Sequence, residues 1–183
     1  MKQPTCQQAS RGFTVIELLI VVTITAALLV IAVPNFRDLV KRNQMTNTSN
    51  GLVTALQLAR SEAVKRKKKI VVCASDTAAD TPVCGSDWHQ GWLVLDDKGE
   101  RLRVWPSVSE NIKIGAGDSE DEDVDKVVFS RRGQIDGDKT VTFEIRTEGL
   151  QNDCRSGDYP PNARDVDINL AGQVNTKPLK CAP

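Results

Sequence analysis

Aromatic residues are scarce in this chain of 183 residues: four Phe, three Trp and one Tyr. Any core must therefore be mostly aliphatic. Histidine occurs once, at His89, so no site built on several histidines can form within one chain. No HExxH, GxSxG, P-loop or GxGxxG pattern is present, and the constellations those patterns carry for metal hydrolysis, acyl transfer and nucleotide binding are missing with them. No catalytic role, cofactor or metal is expected. Net charge is lacking too, because 24 Lys and Arg balance 24 Asp and Glu. A chain that coats nucleic acid by bulk positive charge is excluded, although a neutral chain can still carry a basic face. What remains is 40% hydrophobic and 26% charged, the composition of a folded protein rather than a disordered one. The length allows one domain with an appendage.

The apolar residues are unevenly placed. Phe13 to Val33 is a stretch of 21 residues whose only non-apolar members are Thr14, Glu17, Thr23 and Thr25. As a helix it is about 32 Å long, close to the hydrocarbon thickness of a bilayer. Residues 1–12 before it are polar, with Lys2, Arg11 and no acid. Such a flank stays cytoplasmic and sends the C-terminal body across the membrane. A cleaved secretory signal shares the basic start, but this run exceeds a signal core and no small-x-small cleavage site follows it. Pro34 ends the run; inside a continuing helix it removes a hydrogen bond and bends the rod.

Beyond Pro34 the helical pattern continues over 34–69. Leu52, Leu56, Ala59 and Ala63 fall at i, i+4, i+7 and i+11, one face of an amphipathic helix. Gly51 and the poor helix formers Asn47 to Asn50 predict a kink or a loosened turn there. The helix is expected to end near Lys65-Arg66-Lys67-Lys68-Lys69, where cations suit the helix dipole; an anion or nucleic-acid contact is the functional alternative for that run. The remainder, 70–183, reads as short strands. Ile70–Ala74, Trp92–Leu95, Leu102–Trp105, Ile112–Ile114 and Val127–Ser130 are β-rich runs between turn residues. Val141, Phe143 and Ile145 alternate with polar residues, as do Val166, Ile168 and Leu170. Phe129–Ile135 and Ile168–Val174 share an outline of strand, turn and Gly-Gln, read as two glycine turns. The fold class is α+β: a long N-terminal helix packed on a body of two small antiparallel sheets.

Five cysteines are an odd count, but Cys6 lies in the segment before the apolar run. The other four permit three pairings. Cys73–Cys84 and Cys154–Cys181 are favoured because each closes a local loop, each contributing about 3 kcal/mol by chain entropy. Such bonds require an oxidising compartment such as the periplasm. No CxxC pair supports a four-thiolate metal site.

Arg11-Gly12-Phe13-Thr14-Val15-Ile16-Glu17-Leu18-Leu19-Ile20-Val21-Val22 resembles the N-terminus of type IV pilins and pseudopilins. The resemblance implies a pilin-like fold and a leader over 1–12. It implies cleavage by a prepilin peptidase between Gly12 and Phe13, and methylation of Phe13. Residues 13–33 then form the transmembrane and filament-core helix, and Glu17 is the fifth residue of the mature chain. A carboxylate deep in a bilayer costs about 2.5–3.5 kcal/mol and needs a partner. In a filament of packed helices that partner is the amine of a neighbouring Phe13, which sets axial register. The alternative is a carboxyl near the interface, neutral or hydrated. The expected location is the inner membrane in a single pass, with a periplasmic body, and then a filament or its tip. Expected partners are major and minor pilins, the peptidase and the inner membrane.

Ala59-Arg60-Ser61-Glu62-Ala63-Val64, a strand with Cys73, and Gly91-Trp92-Leu93-Val94 resemble the GspH/FimT group of minor pilins and pseudopilins. That group spans type IV pilus subunits, type II secretion pseudopilins and DNA-uptake receptors. Its DNA-binding members carry a C-terminal GRxR motif; the matching stretch here, Gly172-Gln173-Val174-Asn175, has neither arginine. Double-stranded DNA as a partner would rest instead on Arg131, Arg132, Arg155, Arg164, Lys177 and Lys180, since phosphate binding needs only clustered cations. Residues 37–183 hold 22 basic and 23 acidic residues, and six of the acids crowd into Asp118–Asp125. That loop lacks the central glycine and spacing of a calcium loop, so solvated surface is the default. Trp92 is expected to open a core strand, with His89 in the preceding turn.

Overall fold

The computed structural model describes residues 14–76, 83–120, 122–148 and 163–178. Two compact units divide between Leu39 and Val40. Helix α1 spans Val15–Arg66. Thr14 and Glu17 start it as a capping box: the Glu17 amide donates to Thr14 Oγ1 at 3.3 Å, and the Thr14 amide to Glu17 Oε2 at 3.5 Å. The single long helix expected from the sequence is present, and it is continuous across Asn47–Gly51. Thr54 Oγ1 donates to the Asn50 carbonyl at 2.7 Å. Burial overrides propensity here, since Met45, Ser49, Leu52, Ala55 and Leu56 are all buried.

The helix ends on a left-handed residue. Lys67 has φ 54°, and the Lys68 amide donates back to the Ala63 carbonyl at 3.3 Å. This is a Schellman closure, in which glycine ordinarily occupies the left-handed position. The cations of the last turn are held locally, Lys65 and Arg66 by Glu62, Lys68 by Asp97 and Lys69 by Asp136.

The body carries two antiparallel sheets. In the first, β1 (Ile70–Asp76) lies between β3 (Trp92–Asp96) and β6 (Lys126–Phe129). The strand β2 (Val83–Cys84) pairs the end of β1, and β4 (Arg101–Trp105) pairs β3. The second sheet has the order β5 (Ile112–Asp118), β7 (Val141–Thr147), β8 (Ala163–Ile168), β9 (Val174–Pro178). Alternation places Val141, Phe143 and Ile145 inside opposite Ile168, Val166 and Arg164. One hydrophobic cluster joins α1 to both sheets, with Leu52, Leu56, Ala59 and Ala63 meeting Ile70, Val72, Val94, Phe129, Phe143 and Val166. Trp92 opens β3 buried, as expected, and His89 lies in a short 3-10 turn, Trp88–Gln90.

The two sheets meet through paired turns. The Ser130 amide donates to the Gln134 carbonyl and the Gly133 amide to the Ser130 carbonyl; Asn169, Gly172 and Gln173 repeat the arrangement. Both glycines are left-handed, at φ 77° and 71°. A Cβ on Gly172 would lie 2.0 Å from the Gly133 carbonyl oxygen. Arg60 of α1 holds both turns, Nε donating to the Gly133 carbonyl at 3.1 Å and Nη2 to the Ala171 carbonyl at 3.2 Å. Trp88 adds a second tie, edge-on to Phe143 at 4.7 Å and donating to the Val124 carbonyl at 2.7 Å.

Two substitutions test these end structures by thermal unfolding of the full chain in detergent. Lys67→Gly removes the left-handed strain and raises stability by about 1 kcal/mol. Gly172→Ala drives a methyl into the Gly133 carbonyl and lowers stability by about 1–3 kcal/mol.

Candidate functional site

Gly12 and Phe13 lie outside the described residues. Glu17 lies within them, and its carboxylate caps the first turn of α1. Beyond it the helix presents apolar side chains outward: Ile16, Leu18, Leu19, Val22, Leu29 and Phe36 are each more than half exposed. Threonines 23 and 25 turn their hydroxyls onto their own helix, donating to the Leu19, Ile20 and Val21 carbonyls. Among the described residues no helix is long and apolar enough to cross a membrane. Side chains are described without a break from Val15 to Val30, about 24 Å of helix.

Cys73 and Cys84 are bonded, joining β1 to β2 across 11 residues with Cα atoms 5.5 Å apart. Cys154 and Cys181 fall outside the described residues, as do Arg155 and Lys180. The other cations proposed for DNA lie on separate elements. Arg131 and Arg132 line a cleft with Lys69 and Asp136 at the end where α1 stops. Arg164 stands opposite Ile145 on the second sheet. Lys177, on the edge strand β9, is spent on Asp167 at 2.7 Å, which raises its pKa.

The acidic loop is organised by a lysine that sequence reading missed. Lys139 Nζ lies 3.0 Å from Asp118, 2.8 Å from Glu120 and 3.2 Å from Glu122. Asp118 also accepts the Glu120 and Glu122 amides at 2.8 and 3.2 Å. These amides, with Lys139, hold its carboxyl below the usual range, and the three carboxylates raise Lys139. Lys139 is thus the cation that these carboxylates hold, and no metal-ligating cluster occurs among the described residues.

A second carboxylate has the opposite setting. Asp165 faces Glu144 across the β7–β8 register, with Asp167 two residues on. Arg146 takes Glu144 and Lys177 takes Asp167. Asp165 Oδ1 is buried without a hydrogen-bond partner among the described residues. Burial, then Glu144 and Asp167, push its pKa up. Ionisation is therefore harder in the folded state, so stability is lost as pH rises from the unfolded carboxylate value of about 3.9 through the raised folded value. Asp165→Asn is expected to raise the melting temperature at pH 7, with the gain vanishing near pH 3. An equal gain at both pH values would contradict the charge argument.

Comparison with known proteins agrees with this architecture. The family described as "Prokaryotic N-terminal methylation motif" matches residues 7–33. The family described as "Type II transport protein GspH" matches residues 48–172. Two proteins named fimbrial protein from Pseudomonas aeruginosa are each 42% identical over 74 residues, 40% of this chain. The chain spans 46% of the length of these relatives. Two crystal structures of the Pseudomonas aeruginosa (strain PAO1) type IV minor pilin FimU share the fold. One has a TM-score of 0.54 at 24% identity, covering 75% of this chain and 90% of that one. The other has a TM-score of 0.51 at 23% identity, covering 73% and 92%. With more than half of its residues inside the GspH match, the methylation motif ahead of it and a helix-on-two-sheets body, the chain belongs to the GspH family of pilin-like proteins.

Proposed function

We propose that this chain is a minor pilin or pseudopilin that enters a type IV filament with other pilins. The observation that carries the reading is the methylation motif over 7–33 joined to a GspH body over 48–172. Residues 1–12 serve as the leader, prepilin peptidase cuts between Gly12 and Phe13, and Phe13 receives the methyl group. Residues 13–33 then hold the protein in the inner membrane with the body in the periplasm. The role is structural: a subunit that primes, extends or caps a filament. The fimbrial relatives support a pilus. The family's description supports a type II secretion filament as the other member of the same class.

The chemistry of entry falls to the first helical turn. Cutting before Phe13 leaves a charged amine four residues from Glu17. Methylation leaves that amine basic and able to donate. Inside one chain the Glu17 carboxylate only caps the helix, at a long 3.5 Å. In an apolar bundle, pairing it with a neighbour's amine removes two uncompensated charges at once. The apolar face supplies adhesion and this pair supplies register.

Glu17→Ala tests the pair. The variant is expected to reach the membrane at the normal level and to be cleaved, while its fraction in sheared filaments falls about tenfold or more. Normal incorporation would contradict the register role of Glu17.

A further inference from the structure

We infer that the cleft lined by Trp92 and Trp105, between α1 and the end of β4, is a binding site for one neutral sugar ring. The inference stands apart from the filament reading, and every residue it uses lies in the body, Val40–Pro183. The cleft has a volume of about 270 Å³, at the small end of ligand sites. One wall is α1 at Gln44, Asn47, Thr48 and Gly51; the other is the segment Trp105–Ser109. Trp92 and Trp105 are register partners on β3 and β4, and their rings stack with centroids 6.4 Å apart. The second wall is pinned. A Cβ on Gly91 would lie 2.3 Å from the Trp105 carbonyl oxygen, so the two backbones are in close contact there. The Val108 amide donates to the His89 carbonyl at 3.0 Å.

The lining selects the ligand. None of its residues carries a charge, and Arg103, which lies over the Trp105 ring at 4.9 Å, is not among them. A phosphate, a carboxylate or an amine therefore meets no counter-charge. The side chains of Asn47, Thr48, Ser107 and Ser109 have no hydrogen-bond partner among the described residues. Amides and hydroxyls both donate and accept, as the hydroxyls of a sugar do. The indoles supply apolar surface for the C–H face of the ring. Enclosed atoms repeat the pattern. Trp92 is 2% exposed, yet its Nε1 has no hydrogen-bond partner among the described residues, and neither has Gln44 Oε1. Enclosed polar atoms ordinarily have partners. A hydroxyl accepts from an indole N–H and donates to an amide oxygen, and Gln44 is only partly buried, so its amide can turn to admit one.

Gly51 keeps this space open. It stands inside α1, where glycine is the poorest residue after proline. Packing does not require it. A Cβ there would lie 3.4 Å from Trp92 Cζ2 and 3.7 Å from Trp105 Cδ1, ordinary contact distances. An alanine would fit the helix and narrow the cleft. The residue that favours the fold is absent where it would occupy the space of the ligand.

The test is ligand-detected NMR on the full chain in a detergent without a sugar headgroup. The probes are glucose, galactose, mannose, N-acetylglucosamine and N-acetylgalactosamine, each as the free sugar and as its methyl glycoside. The expected result is binding of one or more of them with a Kd of about 1–10 mM or tighter, independent of salt. Binding of the glycoside marks the end of a glycan chain as the source; binding of the free sugar alone marks a free sugar. Gly51→Met fills the cleft, Trp105→Leu removes a ring, and Asn47→Lys puts charge on its exposed rim. Each is expected to weaken binding roughly tenfold or more, while Arg132→Ala, in the separate cationic cleft, binds like wild type. No response to any of the sugars would overturn the site. So would binding that weakens steeply with salt, survives the three cleft variants, or falls equally in Arg132→Ala. Melting temperatures are measured beside binding; where Gly51→Met or Trp105→Leu melts below wild type, Asn47→Lys at its exposed position decides.

Discussion

The contact on which the body depends is the one between Arg60 and two glycine turns. Its guanidinium donates to a carbonyl of the first sheet's turn and to one of the second sheet's. Those turns touch so closely that the Gly133 oxygen occupies the space of a Gly172 side chain. Around it the small residues Ala55, Ala59 and Ala63 let the helix settle into one cluster with both sheets. A larger residue at Ala59 or Ala63 would lift the helix and separate the turns from Arg60. The fold is thus fixed at one end of the body by polar geometry and elsewhere by aliphatic packing.

This arrangement divides the labour along α1. Its inward face is committed to the sheets, with Leu52, Leu56, Ala59 and Ala63 fully buried. Its first half carries exposed apolar residues, Ile16, Leu18, Leu19 and Val22 among them. The charges of the body are settled locally: Lys139 on three carboxylates, the last-turn cations on Glu62, Asp97 and Asp136. Surface pairs of this kind add little stability. They do leave α1's exposed apolar surface as the distinctive feature of the described residues.

Much of this was legible in the residues. The capping pair Thr14 and Glu17, the Leu52 to Ala63 face and the cationic stop locate the helix. Alternation at Val141–Ile145 and the 11-residue spacing of Cys73 and Cys84 locate a strand and a disulfide. Other features had no linear trace. The strand β2 has only two residues, and β9 is largely exposed, so neither shows a burial pattern. Asn47 to Gly51 reads as a weak stretch of the helix because burial of Ser49, Leu52 and Ala55 is invisible to propensity. Lys139 pairs with carboxylates up to 21 residues away, and Arg60 with turns 73 and 111 residues away.

The most direct measurement of the central claim is the mass and N-terminal peptide of the mature protein. It would be isolated from membranes of cells with and without their prepilin peptidase. The expected result is a chain beginning at N-methylated Phe13 where the peptidase is present and a full-length chain from Met1 where it is absent. A chain that keeps residues 1–12 in the presence of an active peptidase would contradict the assignment of this protein as a processed filament subunit.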